Sequence, residues 1–222
     1  MTRPYSAILF DLDGTISDSA PGILESMTHT FHAVGVPVPD HATLMSFVGP
    51  PIMDTFRTAM GMDDAGAERT LAVYREHYLS HGALDSAMFP GIDVVLRALH
   101  QAGLPMSTAT SKPETPATVI LDHYGLTGYF DFVTGASDDE VRSAKADVVA
   151  EALRRLEAAG HDVSRPVLVG DRLHDVEGAR VHDVPVVFAE WGYGSPAEAE
   201  GTVAQAATPL DLLPILLPDA AA

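Results

Sequence analysis

The sequence predicts an α/β protein, a doubly wound parallel sheet interrupted after its first strand by an all-helical cap. Two observations carry this prediction. Four short apolar runs are accompanied, in the later part of the chain, by helical patterns between them, and strands alternating with helices build parallel β-α-β units. Residues 17–86 break the alternation: they show helical periodicity and no run that reads as a buried strand. The expected division is a core of residues 1–16 and 87–222 around a cap of residues 17–86.

The first strand is Tyr5-Ser6-Ala7-Ile8-Leu9-Phe10, a β-rich run that ends in two aspartates and a glycine. In the cap, Ile23, Leu24, Met27 and Phe31, and then Leu71, Tyr74 and Tyr78, recur at helical spacing. Pro37, Pro39, Gly49-Pro50-Pro51 and Gly61 punctuate it, and Phe89-Pro90-Gly91 marks the return to the core. Helical patterns follow over residues 92–101, 114–124 and 146–159, the last stopped by Gly160. Pro105-Met106-Ser107-Thr108-Ala109, Pro166-Val167-Leu168-Val169 and Pro185-Val186-Val187-Phe188-Ala189 read as further strands, with a weaker candidate at Phe130-Asp131-Phe132-Val133. Ligands of such sheets bind beyond the carboxyl ends of the strands.

A chain of 222 residues that is 46% hydrophobic can bury a sizeable core. Its net charge of −18 argues against a nucleic acid polymer or an anionic membrane as the main partner. No apolar stretch reaches the roughly 18 residues of a membrane span, and Met1-Thr2-Arg3-Pro4 lacks a signal peptide's apolar region, so a soluble, cytoplasmic protein is expected. The absence of cysteine excludes disulfides, thiolate metal sites and a cysteine nucleophile. Of thirteen basic residues eleven are arginines, and the two lysines, Lys112 and Lys145, invite a chemical explanation.

Asp11 and Asp13 stand two apart at the end of the first strand, and Gly14 lets the chain turn so that both carboxylates can face one volume. Two unpaired anions there resist ionising. Mg²⁺, with its preference for oxygen ligands, resolves the repulsion, after which one carboxylate can attack phosphorus while the other handles protons. The competing reading is the Asp-Gly turn of a hairpin, weakened because a helical pattern follows. Thr110-Ser111-Lys112-Pro113 ends the second strand with hydroxyls and a compact cation suited to phosphoryl oxygens; alternatively Ser111 caps a helix, with Glu114 three residues on. Lys145 opens a helix, where the dipole disfavours a cation, so an anionic partner is implied. Asp171 and Asp175 follow the third prolyl strand: Asp171 can ligate the metal, and Asp175 can hold metal-bound water or orient Lys145. One of them could instead be an ordinary helix cap.

Together these strand-end motifs resemble the haloacid dehalogenase (HAD) superfamily, over nearly the whole chain. The resemblance implies a Rossmann-like core and gives Asp11 the part of nucleophile and Asp13 that of general acid/base. It makes Thr110 the phosphate-binding hydroxyl, Lys145 the lysine that binds phosphate and nucleophile, and Asp171 with Asp175 the acidic metal motif. Mg²⁺ is then expected on the carboxylates of Asp11 and Asp171 and the main-chain carbonyl of Asp13, with Asp175 as a direct or outer ligand. Phe47-Val48-Gly49-Pro50-Pro51, the stretch from Arg142 to Val148 and Trp191-Gly192-Tyr193-Gly194 look most like phosphoglycolate phosphatase-like and bacterial 5′-nucleotidase members. The substrate expected from that likeness is a small phosphorylated metabolite, handled by a monomer or homodimer, with Phe47, Gly49 and Arg57 as cap residues facing it.

Three alternatives share these motifs. A sugar-phosphate mutase would return the phosphoryl group to a sugar, a dehalogenase would leave Asp13 and the acidic pair without a task, and a non-enzymatic receiver module would need no proton carrier. Outside the motifs, His77 and His81 have the spacing of a paired zinc site without an evident third ligand. Trp191 and Tyr193 are expected to pack, and His174 to stand beside the site.

Overall fold

The structure, a computed structural model, describes residues 3–139 and 141–218. Five strands, β1 (Ala7–Phe10), β2 (Met106–Thr108), β3 (Pro166–Gly170), β4 (Val186–Ala189) and β5 (Ala204–Ala206), form one parallel sheet in the order β2-β1-β3-β4-β5. The main helices are α1 (Ala20–Val34), α2 (Asp64–Ser80), α3 (Ile92–Gln101), α4 (Glu114–His123), α5 (Lys145–Ala158) and α6 (Leu173–Arg180). Sheet residues alternate between two apolar layers. Ile8, Phe10, Val167, Val169 and Val187 pack with Leu96 and Leu99 of α3 and Ile120 and Leu121 of α4. Ala7, Leu9, Leu168, Val186 and Phe188 pack with Val148, Val149 and Leu156 of α5 and Ala179 of α6. A central sheet covered on both faces is the doubly wound arrangement.

This strand order puts the topological switch between β1 and β3, where helices leave toward opposite faces and a crevice opens at the carboxyl ends. Asp11 follows β1 and Asp171 follows β3, so the crevice is acidic from the moment the sheet forms.

Two segments differ from the expectation. Residues 130–133 form no strand, because the Asp131 carboxylate accepts from the Met106 amide (2.8 Å) and takes up a sheet donor. Phe132 makes only one bridge, to Ser107, and the Thr110–Pro113 strand pairs instead with Gly135–Ala136. Strand β5 was not expected: Ala204-Gln205-Ala206 has no β-branched residue, and its pairing with β4 holds it in the sheet.

The chain leaves β1 through Ser17–Asp18 and returns through Ala87–Met88, which pair antiparallel. The Tyr124 hydroxyl lies 3.2 Å from Ser17 Oγ and 2.7 Å from Ser86 Oγ, tying both crossings to α4. Between them α1 and α2 pack around a separate apolar cluster that includes Met27, Phe31, Phe56, Leu71 and Tyr74. Among the described residues no helix is long and apolar enough to cross a membrane.

Phe56 is fully buried and meets Phe31 and Tyr74 edge-on, at centroid distances of 6.3 and 6.4 Å. Phe56→Ala is expected to cost about 3–5 kcal/mol by leaving a cavity. Urea denaturation measures this, and a loss below about 1 kcal/mol would mean the ring is not a packing centre.

Candidate active site

The Asp11 amide donates to Val169 O (2.9 Å), so the sheet ladder itself places the first carboxylate beside the end of β3. The next residues turn tightly, with Ile16 and Ser17 amides both donating to Leu12 O at 2.9 Å. Gly14 has φ 85°, and a Cβ there would lie 2.2 Å from Asp171 Oδ2. Only glycine satisfies both the conformation and the approach.

Lys145, the first residue of α5, is buried among anions. Its Nζ donates to Asp11 Oδ1 (2.9 Å) and Ala109 O (2.8 Å) and lies 2.6 Å from Asp175 Oδ1. Burial alone would lower its proton affinity, but Asp11 and Asp175 outweigh that and hold it above the ordinary lysine value. The cation that the helix dipole disfavours is therefore kept by two carboxylates.

Asp171 accepts from Thr15 Oγ1 (3.1 Å) and from the Tyr193 amide (2.7 Å). Asp175 uses Oδ2 to accept from the amides of Asp171 (3.1 Å) and Arg172 (3.0 Å) at the start of α6, leaving Oδ1 to Lys145. Asp175 thus does serve a helix start, and at the same time orients the lysine. Asp11, Asp171 and Asp175, all buried, each bring one oxygen within 4.8 Å of the others. Burial, then Asp175 and Asp11, push the Asp171 carboxyl well above its usual range. Burial pushes Asp175 up to about 6 against the opposing pull of Lys145. Three hard oxygen donors crowded into one buried volume fit a small divalent cation.

The Asp13 carboxylate stands apart from this cluster. Oδ1 accepts from Ser19 Oγ, and Oδ2 pairs with Lys112 Nζ at 3.0 Å. Among the ligands expected for a metal, Asp13 therefore has only its main-chain carbonyl to offer. Lys112 also donates to the Tyr78 hydroxyl (2.8 Å) of α2, so it is matched to Asp13 and the cap and not left open for phosphate. Burial would depress its proton affinity, and Asp13 and the tyrosines more than reverse that.

Thr110 Oγ1 accepts from the Lys112 amide (3.2 Å), which keeps its own hydroxyl proton available. Ser111 does not cap the following helix: α4 starts after Pro113, and Ser111 Oγ is buried without a hydrogen-bond partner. Ser111 lines a cavity of about 310 Å³ together with Asp13, Lys112, Phe47 and Gly49. Gly49 has φ 107°, with Arg172 beneath it donating to Val48 O. A second cavity, of about 530 Å³, joins Ser111 and Phe47 to Lys145 and His174.

Other expected residues fall elsewhere. Arg57 is turned outward, pairing with Asp64 at 2.9 Å, and does not line either cavity. Arg142 donates to Glu114 (2.7 Å) and Gly135 O (3.2 Å), a structural role. His77 stacks against His29 (4.0 Å) and His81 (4.8 Å), ring face to ring face, so the ring nitrogens of the row do not converge as zinc ligands would. Among the described residues, Asp11, Asp171 and Asp175 are the one cluster arranged for a metal.

His174 lies beside the site, its Nδ1 buried without a partner, and burial with Arg172 and Lys145 lowers its proton affinity. Trp191 donates to Thr15 O (3.1 Å) and packs on the core. Tyr193 does more than pack. Its amide holds Asp171, and its hydroxyl donates to Asp18 (2.8 Å) and accepts from the Ala20 amide (3.0 Å), joining the acidic cluster to the start of α1. Ser19 and Thr15, the other contacts to the aspartates, lay within the first motif's neighbourhood, but only folding shows which carboxylate each one serves.

Fold and site together define an α/β protein with buried carboxylates gathered at the carboxyl ends of its parallel strands. The chain belongs to the haloacid dehalogenase-like hydrolases, whose family model matches residues 8–189. It is 42% identical over 187 residues to the tyrosine-protein kinase PtkA of Mycobacterium tuberculosis, covering 84% of this chain but 62% of that protein. The chain thus spans less than two thirds of that relative. It is 34% identical to a 5′-nucleotidase of Pseudomonas aeruginosa, covering 87% of this chain and 86% of the relative. To a phosphoglycolate phosphatase of Cupriavidus necator it is 31% identical, with 98% and 95% covered. The structure of a predicted phosphatase from Clostridium acetobutylicum superposes with a TM-score of 0.89 at 32% identity, over 96% of this chain and 99% of that one.

Without a cation, Asp171 and Asp175 hold protons in the folded state at pH values where an unfolded aspartate, with a pKa near 4, has lost them. Their contribution to stability is present below about pH 4 and is lost as pH rises through about 6. A divalent cation binds the ionised carboxylates and offsets that loss. Saturating MgCl2 is therefore expected to raise Tm more at pH 7.5 than at pH 5, the stabilisation being about 2.7 kcal/mol where Mg²⁺ is in hundredfold excess over Kd. Calorimetry with and without chelator measures it, and an increment independent of pH would contradict the assignment.

Proposed function

We propose that this chain is a Mg²⁺-dependent phosphatase that hydrolyses phosphate monoesters of small metabolites through an aspartyl phosphate on Asp11. The observation that carries the reading is the contact of Lys145 with Asp11 and Asp175 inside a buried cluster of three carboxylates. A nucleophilic carboxylate next to a fixed ammonium is suited to receive a dianionic phosphoryl group. Residues 17–86 act as the cap over it, and the substrate, not a nucleic acid or a membrane, is the partner of a cytoplasmic monomer or homodimer.

The Asp11 carboxylate attacks phosphorus in line as the ester P–O bond breaks, and Asp13 gives its proton to the departing alkoxide. Asp13, now a base, takes a proton from water, whose oxygen attacks phosphorus and releases phosphate and Asp11. Both Asp13 oxygens are engaged in the observed arrangement, so Asp13 must exchange Lys112 for the leaving oxygen during turnover. Thr110 donates to a phosphoryl oxygen, and Lys145 neutralises the charge gathered there. Mg²⁺ held by Asp11 and Asp171, the main-chain carbonyl of Asp13 and, directly or through water, Asp175 would neutralise phosphoryl charge.

The likeness to a tyrosine-protein kinase favours a second reading, in which the phosphoryl group passes to a tyrosine hydroxyl. Donor and acceptor both differ: a nucleoside triphosphate replaces the monoester, and the tyrosine hydroxyl replaces water. Released inorganic phosphate from a monoester supports the hydrolase, whereas labelled phosphotyrosine formed from a nucleoside triphosphate supports the kinase.

Asp11→Asn is expected to lower kcat on a generic phosphomonoester by at least about a thousandfold while leaving the circular dichroism spectrum unchanged. Rates within tenfold of the parent would overturn the nucleophile assignment.

A further inference from the structure

The 310 Å³ cavity is walled by Ile23, Phe47, Pro50, Ile52, Tyr78 and Leu79, and it opens onto Asp13, Ser111 and Lys112. A pocket of this size with apolar and aromatic walls suits a flat organic group. Its four charged side chains, Asp13, Arg75, Lys112 and Asp138, cancel in sign. Lys112 is already matched by Asp13 and Tyr78. A leaving group with a second negative charge, such as a two-carbon acid, would be desolvated against these walls without net positive compensation. A neutral ring would instead cover them. Thr115 donates to the exposed Asp138 carboxylate (2.8 Å), so hydrogen-bonding groups stand where the cavity meets solvent.

Ser111 links this pocket to the chemistry. Ser111 lines both cavities, the second of which reaches Lys145, and its buried hydroxyl has no hydrogen-bond partner. A buried hydroxyl without a partner is costly unless a ligand supplies one.

Resting on the phosphatase reading above, we propose that the substrates are monophosphate esters whose leaving group carries a neutral aromatic ring, seated against Phe47 and Ile52 with Ser111 bonded to the ester. A nucleobase and a phenol both meet this description. The nucleobase also carries polar edges for the Asp138 side of the pocket.

The test is kcat/KM with Mg²⁺ for adenosine and uridine 5′-monophosphate, O-phosphotyrosine, ribose 5-phosphate and phosphoglycolate. Esters with an aromatic ring should exceed the two without one by at least about tenfold. The nucleotide and phosphotyrosine arms tell the two sources apart. Phe47→Ala should shrink the ratio of adenosine monophosphate to ribose 5-phosphate at least about fivefold. Ile52→Ala, at a half-buried position, makes the same measurement should Phe47→Ala fail to fold. Equal rates on the esters without an aromatic ring would overturn this inference and leave the phosphatase standing. If no ester turns over, the phosphatase reading fails. Calorimetry of adenosine monophosphate against ribose 5-phosphate on the Asp11→Asn protein then decides the ring pocket by itself, and equal affinities would overturn it.

Discussion

Three buried carboxylates share one small volume with one ammonium, and the surroundings are organised around that imbalance. Lys145 neutralises one charge, and main-chain amides with Thr15 satisfy oxygens of Asp171 and Asp175. What remains is negative. Such an arrangement is tolerated in a folded chain only through protonation or a bound cation, which is why the two acidic groups hold their protons so strongly without one. The apolar layers on both faces of the sheet hold these groups in place: β1 and β3 are adjacent, and their carboxyl ends cannot separate without opening both layers.

The same economy of charge joins the cap to the core. Lys112 sits between Asp13 of the core and Tyr78 of α2, while Tyr193 reaches from the Asp171 cradle to Asp18 and the start of α1. Arg172, next to Asp171, holds Val48 O and pairs with Glu198 at 3.1 Å. Through Tyr78, Asp18, Ala20 and Val48, these three residues link the site to the segment between Ser17 and Ser86. A displacement of that segment would therefore be felt at Asp13 before it reached Asp11.

Much of the core was legible because buried parallel strands are short apolar runs and the helices between them carry clear periodicity. β1, β2, β3 and β4 fall on the four runs, and α3 spans the expected residues. Strand β5 was not legible, since Ala204-Gln205-Ala206 carries no local preference and its conformation depends on the neighbour it pairs with. Lys145 was legible for the opposite reason: its placement at a helix start was locally unfavourable, and the anions that resolve the conflict come from β1 and α6.

Residue types and spacing by themselves determined that carboxylates, hydroxyls and lysines would gather at one edge of a parallel sheet, because strand period and direction decide which end each motif occupies. They could not determine how those groups pair. Only the tertiary structure decided that Lys112 serves Asp13, that Ser111 is left without a partner instead of capping α4, and that Arg57 faces solvent with Asp64. Pairing depends on distances of a few ångströms between side chains far apart in the chain, and those distances exist only once the layers have packed.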